Sequence, residues 1–368
     1  MNGPTSPPQD LPENNFDLLR FAMAILVIFA HAYPLSQRGG IDPVERWTLG
    51  QVSSGSVAVY VFFAVSGYLI AASRARSRSA FAFISRRLGR IYPGLVVALA
   101  ISAFVVTPLA MANPSGYFSV ETMLRWIFAA VTLHLWWHPV AFPYNALPGL
   151  VNGSLWTIRY EAACYLLLLV AGSARFSRNA LLVLALTAMA LNAGACFELF
   201  PTRNVSLGWI AVSPRSASVF ASIFLAGALG WHFTAAMRSR PSRIIVSVAA
   251  LLIAARLPGV RAFDLVAPVA LTYLTLACAF ARTPLLHGFA PRVGGDYSYG
   301  IYLYAFPIQQ VVTMAFGGSM HPLVNFLIST PVAIAAGALS WHQVEKRFVS
   351  RRRARAVATP DGPTAPSQ

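Results

Sequence analysis

An acid, a base and an imidazole lie in one apolar stretch near the start of the chain, FDLLRFAMAILVIFAH. Arg20 and His31 are eleven residues apart, which at about 100° per residue places both side chains on one face of a helix, ~16 Å apart along the axis. Asp17 precedes Arg20 by one turn and is expected to pair with it. Because ionisable groups are costly in lipid, this stripe predicts a functional site with His31 as a general base. A hydrogen-bonded core histidine is the alternative.

A second candidate is the run ISRRLGRIYP, in which Arg86, Arg87 and Arg90 are closely spaced. On a short helix, positions 86 or 87 and 90 share a face, and their guanidinium groups suit the phosphates of a ligand. The alternative is anchorage to anionic lipid headgroups, which fits the earlier arginines of residues 74–78 better.

A third candidate is GSLWTIRYEAACY, where Arg159 and Glu161 stand inside an apolar run. Glu161 is suited to orienting an imidazole or a sugar hydroxyl, and an anchoring charge pair at the membrane interface is the alternative. The tyrosines of YSYGIYLYAFPI could hydrogen-bond a ligand, although aromatic packing is the commoner use of such a stretch. His134 and His138 have a spacing that permits metal binding but lack a third ligand, so no metal site is expected.

The amino-acid composition indicates what kind of secondary structure carries these residues. The chain is 57% hydrophobic and 11% charged, whereas a soluble domain is about a quarter charged. This predicts an all-α polytopic membrane protein. The net charge of +16 does not predict nucleic-acid binding, because the basic residues lie in short loops between apolar runs.

Ten apolar runs are predicted to span the membrane: 16–33, 57–72, 93–111, 154–171, 180–197, 216–236, 244–256, 264–281, 298–316 and 323–343. The apolar patch 123–137 is shorter than the ~17 residues of a span and is expected to be re-entrant or interfacial. With this patch outside the count, 19 Lys and Arg fall on one side of the membrane and 7 on the other. This asymmetry predicts that both termini are cytoplasmic.

Three segments follow from this pattern. Residues 1–15 are polar and Pro-rich, and residues 349–368 are basic and then polar, so both are expected to be disordered. Residues 16–348 form one predicted membrane domain.

Five motifs in order resemble the acyltransferase-3 family of integral-membrane acyltransferases. The family's Arg–ten residues–His pattern on the first helix is matched by Arg20 and His31. The other motifs are matched by Phe62, Phe63, Ser66, Gly67 and Tyr68; by Arg86, Arg87, Arg90, Ile91 and Pro93; by Leu155, Trp156, Thr157, Glu161 and Tyr165; and by residues 298–303. One departure is Ala305, where many relatives have His, so no role of that His can be carried over.

The resemblance implies O-acyl transfer from acyl-CoA, with acetyl as the default acyl group, to a hydroxyl of an exported glycan or similar acceptor at the bacterial inner membrane. Arg86, Arg87 and Arg90 would hold the CoA phosphates at the cytoplasmic face. His31 would be the base. Arg20 and Glu161 are the other catalytic candidates, and supporting roles fall to Asp17, Ser66, Gly67, Trp156 and Tyr302. No permanently bound cofactor is expected, and membrane lipid is an expected partner.

Two other functions fit the same residues. A transporter or flippase of a polar lipid-linked solute could use Arg20 and His31 as a relay, and a membrane scaffold could carry these charges for structure alone. The sequence leaves open the acceptor, the acyl chain length, the oligomeric state, and whether the acyl group or the acceptor crosses the membrane.

Overall fold

The computed structural model describes residues 14–36, 41–77, 79–133, 141–171, 178–202, 204–207, 210–281 and 293–348. The helices within them are α1 Phe16–Ala32, α2 Pro43–Trp47, α3 Ser54–Ala75, α4 Ala80–Ile101, α5 Thr107–Leu109, α6 Val120–Thr132, α7 Ile158–Ala171, α8 Arg178–Cys196, α9 Pro214–His232, α10 Pro241–Ala255, α11 Ala262–Ala279, α12 Ser298–Ala315 and α13 Pro322–Ser340. Short π-helical and 3-10 segments extend four of them: Ser102–Val106, Leu155–Thr157, Thr234–Met237 and Trp341–Glu345. One antiparallel hairpin, Val205–Leu207 with Ile210–Val212, is the departure from an all-α fold in this part of the chain.

Each of the ten predicted apolar runs overlaps one of these helices. Within the described residues, five helices are long and apolar enough to cross a membrane: Ser54–Ala75, Ala80–Leu109, Arg178–Cys196, Ala262–Ala279 and Pro322–Phe348. The chain is therefore an integral membrane protein, while the count of ten spans stays a prediction. Helix α6 has 13 residues, and those from 123 to 132 belong to the 123–137 patch. Residues 1–13 of the predicted disordered N-terminus 1–15, the whole predicted disordered end 349–368, and the pair His134 and His138 lie outside the described residues.

The third apolar helix begins earlier than the sequence predicted. Helix α4 begins at Ala80 instead of Pro93, and Pro93 lies inside it. The side chain of Ser79 caps the helix by accepting a hydrogen bond from the N–H of Ala82 at 3.1 Å. A proline removes only one main-chain donor, and the cap together with the apolar face maintains the helix through it. The arginines of residues 86–90 therefore lie on a helix and not in a loop.

Two glycines bring α3 and α9 into backbone contact at the centre of the bundle. A Cβ on Gly67 would overlap the carbonyl of Phe224, and a Cβ on Gly227 would overlap the carbonyl of Ala64. Small residues allow such close approach of membrane helices. Helices α1, α12 and α13 pack on one side of this pair, and α8, α11 and α10 pack on the other.

Helices α3 and α9 run in the same direction. The rings of Tyr60 and Phe220 are 6.0 Å apart, and further along both helices the hydroxyls of Tyr68 and Thr234 are 3.0 Å apart. Helix α1 begins at this second end, because Phe16 packs on Tyr68 at 5.3 Å. We call this the basic end: α3 and α9 end here, α4 and α10 begin here, and arginines are concentrated in both connections.

Candidate active site

A cavity of about 640 Å³ lies between α1, α3, α4, α7 and α12 and extends to the basic end. Much of its wall is apolar, including Val59, Phe62 and Leu69. Its polar lining is Arg20, Ser66, Ser73, Arg76, Arg86, Arg87, Arg90, Thr157, Glu161, Tyr165, Ser298, Tyr299 and Tyr302. Residues from each of the five sequence motifs therefore meet in one cavity.

Glu161 is the centre of a hydroxyl cluster in the cavity wall. Its Oε1 accepts hydrogen bonds from Ser66 Oγ at 2.9 Å and from the hydroxyl of Tyr165. Thr157, Glu161 and Tyr165 face the cavity together because successive members are four residues apart along a helix. The imidazole of His31 is not among the hydrogen-bond partners that the structure gives Glu161.

Tyr302 closes the cavity on the side of α12. Its hydroxyl lies 2.5 Å from Thr157 Oγ1 and donates to the carbonyl of Ser154 at 2.7 Å. Its ring packs edge-on against Phe62 with centroids 6.0 Å apart. Two hydrogen bonds and one ring contact hold this side chain in place.

Arg86 and Arg87 face the cavity from the first turns of α4. Arg87 Nη2 donates to Ser73 Oγ at 3.4 Å, and Arg86 Nη2 donates to Ser77 Oγ. Serine hydroxyls are neutral acceptors that an anionic ligand can displace. Arg76 also lines the cavity, although the sequence pattern had favoured lipid contact for it; the end of α3 turns its last residues toward α4.

Two carboxylates already neutralise the other arginines. Asp296 Oδ2 lies 2.7 Å from Arg20 Nη1 and 2.6 Å from Arg90 Nη2. Arg90 Nη1 also contacts Glu345 Oε2 at 3.1 Å, and the Glu345 side chain is 2% exposed. The expected pair between Asp17 and Arg20 is not formed, because Asp296 precedes α12 and lies between the two guanidinium groups.

Asp296 remains ionised at low pH. Burial alone would raise the pKa of its carboxyl, but the guanidinium groups of Arg20 and Arg90 and two hydrogen bonds from Ser298 outweigh burial and hold the pKa at about 2. Those bonds come from the Ser298 hydroxyl at 2.5 Å and its N–H at 3.3 Å. The Arg20–Asp296–Arg90–Glu345 network therefore joins α1, α4, the start of α12 and the end of α13.

His31 lies beyond the cavity and does not line it. Its ring packs edge-on against Phe306 at 5.1 Å, and its Nδ1 is buried with no hydrogen-bond partner in the described part of the chain. Arg20 contacts Asp296, just before α12, and His31 contacts Phe306 on α12, so the two side chains lie on one face of α1, as the helix periodicity predicted. Tyr302 and Phe306 are four residues apart on α12, so the imidazole is ~6 Å beyond the wall that Tyr302 forms.

The remaining predicted residues do not line the cavity. Trp156 packs behind it, 5.7 Å from Tyr160 and 5.6 Å from Phe220 between ring centroids. Gly67 contacts α9, and Asp17 lies outside the lining. Ala305 is fully buried in a small apolar cluster whose other fully or nearly fully buried members are Ala24, Ile28, Ile301 and Ala333, so the interior holds an alanine where many relatives have His.

Asp296 and Glu345 were missed by the sequence analysis. Glu345 lies just past the last predicted apolar run, 323–343, and the π-helical segment Trp341–Glu345 continues α13 and buries it. The signal available in the sequence was an acidic residue directly after a long apolar run. If such a residue is buried, its carboxylate needs a cation beside it. For Asp296 the signal was weaker, since it only precedes the SYGIYL motif.

Comparison with known proteins identifies the family of this chain. The profile of the acyltransferase-3 family, described as an acyltransferase domain, matches residues 13–342. An O-acetyl transferase of Shigella phage Sf6 is 30% identical over 92% of this chain and 96% of its own length. Nodulation protein 10 of Rhizobium leguminosarum bv. viciae is 28% identical over 95% of this chain and 97% of its own. No solved structure matches the chain.

The match covers the helices that build the cavity, together with the Arg20–His31 stripe. It therefore favours a transferase over a transporter or a scaffold. The chain belongs to the acyltransferase-3 family of membrane proteins and is an O-acyltransferase.

Proposed function

We propose that this enzyme transfers an acyl group, acetyl by default, from acyl-CoA to a hydroxyl of an exported glycan. The observation that carries the proposal is a single cavity with arginines at its mouth and a hydroxyl cluster in its wall. A site of this size, about 640 Å³, is within the usual range for small-molecule ligands.

The donor's phosphates bind at the basic end in this proposal. Arg76, Arg86 and Arg87 supply the guanidinium groups, which bind phosphate oxygens through charge-assisted hydrogen bonds. Arg90 and Arg20 both form ion pairs with Asp296, so we assign them a structural role, in which they stabilise the mouth of the cavity. The basic end would then face the cytoplasm of the bacterium, in line with the distribution of Lys and Arg, with both termini on that side.

The pantetheine arm would extend along the apolar wall past Glu161. The hydroxyls of Ser66 and Tyr165 donate hydrogen bonds to Glu161, which leaves their oxygen lone pairs available to accept hydrogen bonds from the amide N–H groups of the arm. The thioester would then lie against Tyr302 and Phe62, on the near side of His31.

The chemical step would take place where the acyl group meets His31. The imidazole removes the proton of the acceptor hydroxyl, whose oxygen attacks the thioester carbonyl. The carbon–sulfur bond breaks, the imidazolium returns its proton to the leaving thiolate, and the products are the O-acyl ester and CoA. The acyl group has to pass Tyr302 and Phe306, so these two rings must move during turnover.

Binding measurements on the purified protein in detergent test the donor site. We expect the double variant Arg86→Ala and Arg87→Ala to weaken binding of acetyl-CoA at least about tenfold. Acetyl-pantetheine, which lacks the phosphates, should bind the variant and the wild type equally. Arg125→Ala is the matched control, because Arg125 is exposed on α6 and pairs with Glu121 at 2.5 Å, away from the cavity.

An unchanged dissociation constant for acetyl-CoA in the double variant would contradict the phosphate site. Equal weakening of acetyl-pantetheine would also contradict it, since the arginines would then act on the shape of the cavity and not on the phosphates.

A further inference from the structure

A second cavity, of about 500 Å³, lies between α8, α9, α10 and α11. It is separate from the cavity that holds Glu161, with which it shares no lining residue. Its middle is apolar, with Met189, Leu229, Val246 and Val269 in the wall. Val246 and Val269 are 67% and 65% exposed, so this groove opens on the outer surface of the bundle, where membrane lipid lies.

A buried hydroxyl in the groove lacks a partner. Thr272 lines the groove and is 3% exposed, and its Oγ1 has no hydrogen-bond partner in the described part of the chain. A buried hydroxyl without a hydrogen bond is unfavourable. A ligand with an oxygen acceptor at this depth would satisfy it.

Cations gather at one end of the same groove. Arg243 is part of its lining, and its Nη1 donates to the carbonyl of Ala236 at 2.8 Å. Arg238 and Arg240 are exposed beside it, and neither they nor Arg243 pair with a carboxylate of the described residues. This is the basic end, because Arg238 and Arg240 lie in the connection that follows α9 and Arg243 lies in the first turn of α10.

Thr272 and the arginines lie at a similar level along the axis of the helix bundle. The neighbouring residue Tyr273 accepts a hydrogen bond from the N–H of Arg240 at 3.2 Å and donates to the carbonyl of Arg238 at 3.3 Å. An acceptor near Thr272 can therefore belong to the same molecule as an anion at Arg243. Apolar chain, ester oxygen and anionic headgroup occur in this order in a glycerophospholipid.

We propose that this groove binds one anionic glycerophospholipid. The phosphate pairs with Arg243, an ester carbonyl accepts from Thr272, and one acyl chain lies along Val246, Val269 and Met189. Basic pockets between membrane helices bind anionic headgroups in this way. The site requires both the charge and the apolar groove, and it does not depend on the reaction that the enzyme performs.

Lipid retention by the intact protein tests the site. The purified chain is incubated with dioleoyl phosphatidylglycerol or dioleoyl phosphatidylcholine, which share acyl chains and differ in net charge, and bound lipid is counted by native mass spectrometry. We expect the wild type to retain more phosphatidylglycerol than phosphatidylcholine. Arg243→Gln should retain about fivefold less phosphatidylglycerol than the wild type. Val269→Trp fills the groove and should reduce retention of both lipids.

Two control variants carry matched changes elsewhere. Arg347→Gln removes another exposed arginine at the basic end, and Val332→Trp enlarges an exposed valine on α13; both should retain lipid as the wild type does. Equal retention of the two lipids, or no effect of Arg243→Gln and Val269→Trp, would overturn the proposal. So would displacement of the phosphatidylglycerol by millimolar inorganic phosphate alone, because the groove would then bind a free anion.

Discussion

At the scale of single residues, the cavity separates two kinds of arginine. Arg86 and Arg87 donate to serine hydroxyls, whereas Arg20 and Arg90 are bound to Asp296. The sequence analysis grouped Arg86, Arg87 and Arg90 as one phosphate site and placed Arg20 with Asp17 and His31, because residue spacing shows which helix face a side chain is on and not which distant acid it contacts. Asp296 is far from both arginines in the chain, so its pairing could not be predicted from local periodicity.

Asp296→Asn tests the ion-pair network. Removing the charge leaves two guanidinium groups facing each other, so we expect the free energy of unfolding to fall by about 3 kcal/mol at neutral pH. Thermal unfolding in detergent measures this loss. Glu198→Gln, which breaks the pair of Glu198 with Arg215 at 3.4 Å, should change stability little because Glu198 is 76% exposed.

The same variant carries a pH prediction. The folded pKa of Asp296, about 2, is below its ordinary value of 3.8, so its contribution to stability is complete above pH 4 and is lost as the pH falls toward 2. The stability difference between wild type and Asp296→Asn should therefore shrink across this range. A difference that grows on acidification would contradict an ionised Asp296.

Glu161→Gln tests the hydroxyl cluster. The amide keeps the shape but no longer accepts two strong hydrogen bonds at one charged oxygen, so Ser66 and Tyr165 lose their fixed orientation. We expect CoA release from acetyl-CoA to fall about tenfold or more while the unfolding temperature stays within a few degrees. Glu121→Gln on the exposed face of α6 is the control, and equal activity of the two variants would remove Glu161 from the site.

At the scale of helices, hydropathy predicted the positions of the apolar helices well, but it predicted their first and last residues less well. The third apolar run was expected to begin at Pro93, but its helix begins at Ala80; the last run was expected to end at residue 343, but its helical segment continues to Glu345. Both errors have one cause: a local helix breaker or charge was weighed without the tertiary contacts that satisfy it. The Ser79 cap and the Arg90 contact supply those contacts.

The crossing of α3 and α9 depends on glycine. Gly67→Ala would push a methyl group against the carbonyl of Phe224, so we expect a loss of about 2 kcal/mol or more and a lower yield of folded protein. Val332→Ile also adds one methyl group but on a half-exposed face of α13, and it should be neutral. A neutral Gly67→Ala would mean that these helices do not approach as closely as described.

At the scale of the whole molecule, the cavity opens at the basic end and His31 lies further toward the other end. If His31 is the base, the donor substrate has to extend from the mouth of the cavity at the basic end to His31 in the interior of the bundle. The motifs predicted which segments would meet, since residues from all five line one cavity, although His31, Gly67 and Trp156 do not line it. They could not predict that His31 packs on Phe306 while Tyr302, one turn away on α12, lines the cavity, because that depends on side-chain packing across helices.

Cysteine labelling tests the orientation of the bundle. Cys164, Cys196 and Cys278 are first replaced by Ala, and a single cysteine is then introduced by Ser115→Cys or by Ser239→Cys. Ser115 lies past the far end of α4, and Ser239 lies at the basic end. An impermeant thiol reagent applied to intact cells should label the first variant and not the second. Labelling of both from outside would contradict a cytoplasmic basic end.

The most direct test of the proposed reaction compares binding and transfer in His31→Ala. Radiolabelled acetyl-CoA is given to the purified wild type and variant with cell-envelope glycan, and base-labile label in the glycan is measured beside the dissociation constant for acetyl-CoA. Because His31 lies outside the donor cavity, binding should be unchanged while transfer falls at least about 100-fold. Transfer at the wild-type rate by a folded His31→Ala would contradict His31 as the base.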